Sequence, residues 1–284
     1  MTTVYQKTVR KPAELTGIAL HTGRRVRLTL RPAPPGNGIC FRRLDLENTP
    51  AVQAHVRNVV STQRGTTISS QQASVHTVEH VLAVLSAHGI DNAMIDMTGP
   101  EPPVGDGSAE PFVNMLRRAG ISDQEAPREA ITIERTFVYE DGPTKIVAVP
   151  ADKLSICCAV RYHSTPLDCQ YLELDITPEA FVNDLCRART FCLYHEIEAL
   201  MKANLICGGS LDNAVVIKGE AILSKEGLRY PDEFVRHKIL DMVGDFALLG
   251  KPLHAQLIAL KPGHPANVEM ARQIDSATEG PEYG

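Results

Sequence analysis

Polar and apolar positions alternate with a period of two over Arg25-Val-Arg-Leu-Thr-Leu30, which predicts a half-buried strand. The stretch follows Thr16-Gly-Ile-Ala-Leu-His21-Thr-Gly23, so residues 4–31 read as strand and hairpin, closed by the loop Pro32-Ala-Pro-Pro-Gly-Asn-Gly38. Short β-prone pieces follow, Ala51-Val-Gln-Ala-His-Val and Arg64-Gly-Thr-Thr-Ile among them. The period then changes. Val78, Val81, Leu82 and Leu85 make one apolar helical face, with Ser74 as the expected N-cap and Gly89 as the stop. Ala93-Met-Ile-Asp-Met-Thr is expected as a strand, residues 99–107 as a rigid Gly/Pro loop, and Ser108 as the cap of a helix running through Arg118 to Gly120.

Residues 122–129 are polar, contain proline and lack periodicity, so they are expected to link two halves. Strands resume at 131–138, 145–149, 154–160 and 171–176, and Thr177 before Pro178 is a strong helix start. A helix around His195 to Lys202, the turn Gly208-Gly-Ser210, a strand over 213–217 and a helix over 232–249 come next. The strand 253–260 then delivers Lys261-Pro-Gly-His264, and a short helix is expected over about 267–275. The fold class read from this order is α+β, with halves 1–122 and 130–284, each a sheet covered by helices.

The helix over 232–249 carries Glu233, His237, Asp241 and Asp245 on one stripe at every fourth residue. Phe234, Ile239, Leu240, Val243 and Phe246 cover the remainder, so the helix is expected to be half buried. Buried carboxylates beside a histidine are costly unless they hold a proton, a cation or a metal. A solvated stripe with an i, i+4 pair is the other reading, and both stay open on this helix alone.

Composition narrows the class. At 43% hydrophobic and 22% charged residues the chain is an ordinary globular protein. A net charge of -5 and pI near 6.1 argue against a nucleic-acid binder. Seven cysteines without a C-x-x-C pair point to reduced thiols. No apolar run precedes Lys11 and no stretch of eighteen apolar residues occurs, so a cytoplasmic protein without a membrane anchor is expected.

Of the ten histidines, His80 stands out because Glu79 precedes it, a recurring way to set a general base beside a metal. His76-Thr-Val-Glu79-His80 also satisfies the inverted zinc-peptidase pattern H-x-x-E-H, which would put a metal on His76 and His80.

Leu20-His-Thr-Gly23, Thr77-Val-Glu-His80, Arg187-Ala-Arg-Thr-Phe191, His237-x-x-x-Asp241 and Lys261-Pro-Gly-His264 occur in this order along the chain. With Phe234-Val-Arg-His-Lys-Ile-Leu-Asp-Met-Val-Gly-Asp245, Gly89-Ile-Asp-Asn92, Asp106-Gly-Ser-Ala109 and Cys207-Gly-Gly-Ser210, they resemble the UDP-3-O-acyl-N-acetylglucosamine deacetylases of lipid A biosynthesis from about residue 5 to 270. The resemblance implies two similar domains with a metal between them. It implies one catalytic zinc on His80, His237 and Asp241, an open three-ligand site. It gives Glu79 the role of general base, Thr190 that of oxyanion donor, and His264, oriented by Asp245, that of cation and proton donor to the leaving amine. Lys238 is implied as a diphosphate contact, Phe191 as an aromatic beside sugar and nucleotide, and Tyr162 as a similar aromatic on a shorter, shifted match. An apolar acyl passage would fall around Leu193, Ile197, Ile206, Ser210, Ala214 and Val216, positions that would otherwise be ordinary core. Arg64 stands where related chains often carry an apolar residue. His76 lies outside the pattern and is expected not to be a ligand.

The implied function is zinc-dependent removal of acetate from an acylated UDP sugar in a Gram-negative cytoplasm. The expected partner is that substrate alone: no nucleic acid, a monomer, and membrane contact only through the acyl chain. The rivals are a metallopeptidase using His76 and a scaffold holding a closed structural metal. Two histidines and a carboxylate also suit iron(II).

Overall fold

The computed structural model of the chain describes residues 3–161, 169–203 and 205–278. The expected hairpin forms from Ala13–Ile18 and Arg25–Pro32, antiparallel, and opens a five-stranded sheet. Its order continues through Ala93–Met97, Ile39–Arg43 and Ala51–Gln53. Along that path the pairings are antiparallel, antiparallel, parallel and antiparallel. A second sheet runs Phe137–Asp141, Thr144–Pro150, Leu253–Leu260, Ser155–Val160 and Gln170–Asp175 with the same succession of senses. In both, the middle strand is the last in sequence, so the chain is α+β with the same sheet topology built twice. The middle strands are apolar on one buried face, such as Leu253, Ala255, Leu257 and Ala259, which seats them against helices.

Helices α1 (Glu79–Ala87) and α2 (Glu110–Ala119) belong to the first unit, and α2 lies on its two leading strands. Thr177 Oγ1 caps α3 (Pro178–Ala180) by accepting from Ala180 N at 3.1 Å, and a wider turn, Phe181–Leu185, follows. Phe191–Leu193, α4 (Tyr194–Lys202) and Val215–Lys218 then make a strand-helix-strand unit with parallel strands, edged by Ala221–Leu223. Helices α5 (Glu233–Phe246) and α6 (His264–Thr278) pack on the second sheet and on each other.

The closest helix pair is α1 with α5. Gly244 permits it: a Cβ there would collide with the carbonyl of Glu79. Backbone contact at that point brings the first turn of α1 against the last turn of α5, and both helices are buried nearly all round.

Four expectations change. The N-cap of α2 is Ala109, not Ser108, whose Oγ accepts from Glu110 N at 3.2 Å. Ser74 does not cap α1; Ser74–Val75 is a strand paired with Thr67–Ser69, and the helix starts at Glu79 after Thr77 takes φ 54. Residues read as a linker form the strand Ile121–Pro127, antiparallel to Tyr5–Val9. The last helix begins at His264 and not near 267. Among the described residues no helix is long and apolar enough to cross a membrane.

Candidate metal and catalytic site

The stripe on α5 divides its work. Glu233 does not reach a cation site; it pairs with Arg189, Nε to Oε1 at 2.8 Å and an outer guanidinium nitrogen to Oε2 at 3.0 Å, both side chains fully enclosed. That buried pair ties the segment before Thr190 to the start of α5. One turn on, His237 donates Nδ1–H to the carbonyl of Ala188 at 3.2 Å, which turns Nε2 inward as a lone-pair donor.

His237 Nε2 lies 3.4 Å and His80 Nε2 3.7 Å from Asp241 Oδ1. The two imidazoles meet edge to face, centroids 5.1 Å apart. Among the described residues, His80, His237 and Asp241 are the one group whose potential ligand atoms all fall within 4.8 Å of one another, and all three are buried. Asp241 Oδ1 has no hydrogen-bond partner, a costly state for a buried carboxylate oxygen. Its other oxygen takes Lys238 Nζ at 2.7 Å. Burial works against the Asp241 carboxylate, yet the cationic Lys238 and His264 beside it hold its pKa well below the ordinary value. Burial pushes the His237 imidazole down to about 3, so it is neutral and able to ligate. An orphaned anionic oxygen facing two imidazole nitrogens fits a divalent cation with an open coordination position.

Glu79 and His264 flank this group. His264 Nε2 is 3.9 Å from both Glu79 Oε1 and Asp241 Oδ2, while Nδ1 donates to Asp245 Oδ2 at 2.9 Å. Burial disfavours a charged His264, but Asp245, Glu79 and Asp241 outweigh it and raise its pKa to about 10. Burial raises Glu79 above the ordinary carboxylate value, against the pull of His264 and His80.

Sequence reasoning missed the groups that hold these two. Thr66 donates its backbone N–H to Glu79 Oε2 at 2.9 Å and its hydroxyl to Asp245 Oδ1 at 2.6 Å, and Asn267 Nδ2 donates to Asp245 Oδ2 at 2.8 Å. Glu101, fully buried in the Gly/Pro loop, accepts from His21 N, Thr22 N and Thr77 Oγ1. No local pattern marks Thr66 or Asn267, since their partners lie far along the chain.

Glu79, His80, Thr190, His237, Asp241 and His264 line one small cavity of about 40 Å³. Phe191 packs against His237 and Phe234, and Lys238 Nζ lies 5.4 Å over its ring. A second, largely apolar cavity of about 420 Å³ adjoins it, lined by Ile197, Ile206, Ser210, Ala214 and Val216 among others. Leu193 does not line it. It shares the face of its strand with Phe191 and packs on Val215, Ile217 and Phe234 instead. Tyr162 lies outside the described residues. His76 stands apart from the ligand group, its Nδ1 3.1 Å from Thr67 Oγ1. A polar concavity of about 1180 Å³ elsewhere is lined by charges already paired, Arg128 with Asp91 and Lys251 with Glu129.

Residues 6–276 match the family described as UDP-3-O-acyl N-acetylglycosamine deacetylase. A curated relative from Myxococcus xanthus, named UDP-3-O-acyl-N-acetylglucosamine deacetylase, is 42% identical over 271 residues, 95% of this chain and 86% of its own length. Relatives of the same name from Syntrophotalea carbinolica and Coxiella burnetii are 43% and 39% identical, covering 95% of this chain and 88% and 90% of their own. With nearly the whole chain matched and the ligand group, Glu79 and His264 gathered at one cavity, the chain belongs to the UDP-3-O-acyl N-acetylglycosamine deacetylase family.

Proposed function

We propose that this chain hydrolyses the acetamide of a UDP-3-O-acyl-N-acetylglucosamine, releasing acetate and the free amine, with one zinc ion held by His80, His237 and Asp241. The observation that carries the reading is the buried, unpartnered Asp241 Oδ1 facing two imidazole nitrogens, with Glu79 and His264 beside it. A divalent ion bound there would supply Lewis acidity toward water and the amide carbonyl.

The residues divide the proton transfers. Glu79, fixed by Thr66 N and raised in proton affinity by burial, takes a proton from the attacking water. The Thr190 hydroxyl, in the same cavity, donates to the oxygen that becomes anionic. His264, kept cationic by Asp245, stabilises that charge and gives its proton to the departing nitrogen. Lys238 exchanges Asp241 Oδ2 for a phosphate oxygen of the diphosphate when substrate arrives, and the Phe191 ring lies against the sugar and nucleotide. The acyl chain occupies the 420 Å³ apolar cavity.

The two sheet-and-helix units, 1–122 and 130–284, act as domains about this site. The protein works as a cytoplasmic monomer in lipid A synthesis and meets the membrane only through its substrate's acyl chain. The test is acetate release from the acylated UDP sugar by metal-stripped protein reloaded with zinc or, separately, iron(II). Turnover with zinc supports the reading, and folded, metal-loaded protein that releases no acetate across several acyl lengths rejects it.

A further inference from the structure

Among the described residues, three line both the small catalytic cavity and the apolar one: Leu20, Thr190 and Arg64. Leu20 is apolar and Thr190 faces the reacting centre, so Arg64 is the one charge at the neck between them. Its guanidinium forks onto Glu196 of α4, with N–O distances of 2.8 and 3.1 Å. Glu196 also accepts from Leu193 N at 3.2 Å, at the start of the helix that walls the cavity through Ile197, Leu200 and Met201. The Arg64 backbone is fixed as well. It takes φ 62, its carbonyl lies 3.3 Å from His21 Nε2, and two residues on Thr66 N holds Glu79.

Glu196 takes one edge of the guanidinium through Nη1 and Nη2, and the remaining N–H groups of Arg64 donate to no other described residue. A pre-set donor at a neck between a polar centre and an apolar tunnel meets the first polar group of whatever chain threads the tunnel. We infer that Arg64, held by Glu196, is a specificity-determining residue that donates to the ester carbonyl of the 3-O-acyl group. The inference rests on the proposed substrate. It predicts that this enzyme selects ester-linked over ether-linked chains through Arg64.

The experiment compares kcat/KM for a UDP-3-O-acyl substrate and its 3-O-alkyl ether analogue of equal length, in the parent protein, Arg64→Met and Glu196→Gln. One charged hydrogen bond predicts that the parent prefers the ester by roughly tenfold or more. Arg64→Met is expected to abolish that preference, and Glu196→Gln, which keeps the guanidinium but loosens its fork, to weaken it. A parent without preference, or an Arg64→Met variant that keeps the parent's ratio, overturns the inference. Absence of turnover by the parent on the ester would instead count against the proposed function, so the two failures are distinguishable.

Discussion

Asp245 holds His264 Nδ1 at 2.9 Å from one turn beyond Asp241 on the same helix. The candidate ligand Asp241 and the carboxylate that holds His264 therefore share a face of α5, and a rotation of that helix would move both. Thr66 and Asn267 complete the shell of Asp245, leaving His264 Nε2 directed at Glu79 and Asp241. Asp245→Ala is expected to retain metal while turnover falls roughly 10²- to 10⁴-fold, the size of one acid–base role. Metal analysis beside steady-state kinetics checks this, and loss of the metal would reassign Asp245.

Glu79→Ala should likewise bind metal and lose turnover by roughly 10²- to 10⁴-fold. Glu79 Oε1 and Oε2 face His264 and Thr66, not the ligand nitrogens. A variant stripped of metal would make Glu79 a ligand and contradict the assignment.

His76→Ala should leave metal content unchanged, because His76 lies on Thr67 outside the ligand group. The peptidase reading requires the opposite. Metal stoichiometry of this single variant separates them.

Gly244→Ala tests how the site is assembled. In an exposed helix interior the change would gain up to about 1 kcal/mol. Here the new methyl meets the Glu79 carbonyl, so α1 and α5 must separate. Overpacking of this kind costs about 1–3 kcal/mol, and the separation pulls His80 from His237. Denaturant unfolding and zinc titration should both show the loss. A variant as stable and as tight as the parent would mean the helix contact is not what sets the ligand spacing.

Asp96 gives a pH dependence away from the candidate metal site. It is buried on the strand Ala93–Met97, with Arg31 Nε at 2.6 Å and Arg42 Nε at 2.7 Å. Burial raises its pKa, and the two guanidiniums outweigh it, so the folded value lies below the ordinary 3.8. A depressed folded pKa contributes stability above the unfolded value and loses it as pH falls through the folded one. Both arginines are partly exposed, so Asp96→Asn should cost only about 1 kcal/mol at neutral pH. The gap to the parent should close below about pH 4. Urea unfolding at the two pH values reads it, and a gap that widens in acid would refute the sign.

The parts of this fold legible in sequence were those with local periodicity. The hairpin at 13–32, the strand 253–260 and helix α5 carry their partners' side in their own apolar pattern. Ile121–Pro127 carries none, because none of its own residues is fully buried, and its partner lies more than a hundred residues earlier. Ser74 looked like a helix cap because Ser-x-x favours one, but pairing with Thr67–Ser69 claimed it first. The site was legible where spacing brings residues to one helical face, as with His237, Asp241 and Asp245. It was not legible at Thr66, Asn267 and Glu101, whose partners sit on other elements that only the folded chain brings to them. Cavity wall and core also share one apolar pattern, which is why Leu193 was grouped with Ile197 and Ala214.

The most direct measurement is acetate release from UDP-3-O-acyl-N-acetylglucosamine by zinc-reconstituted protein, with Asp241→Ala assayed beside it for turnover and bound zinc. Parent turnover that disappears together with the zinc in a still-folded Asp241→Ala is the predicted result. A variant that keeps its zinc and its turnover would contradict the account.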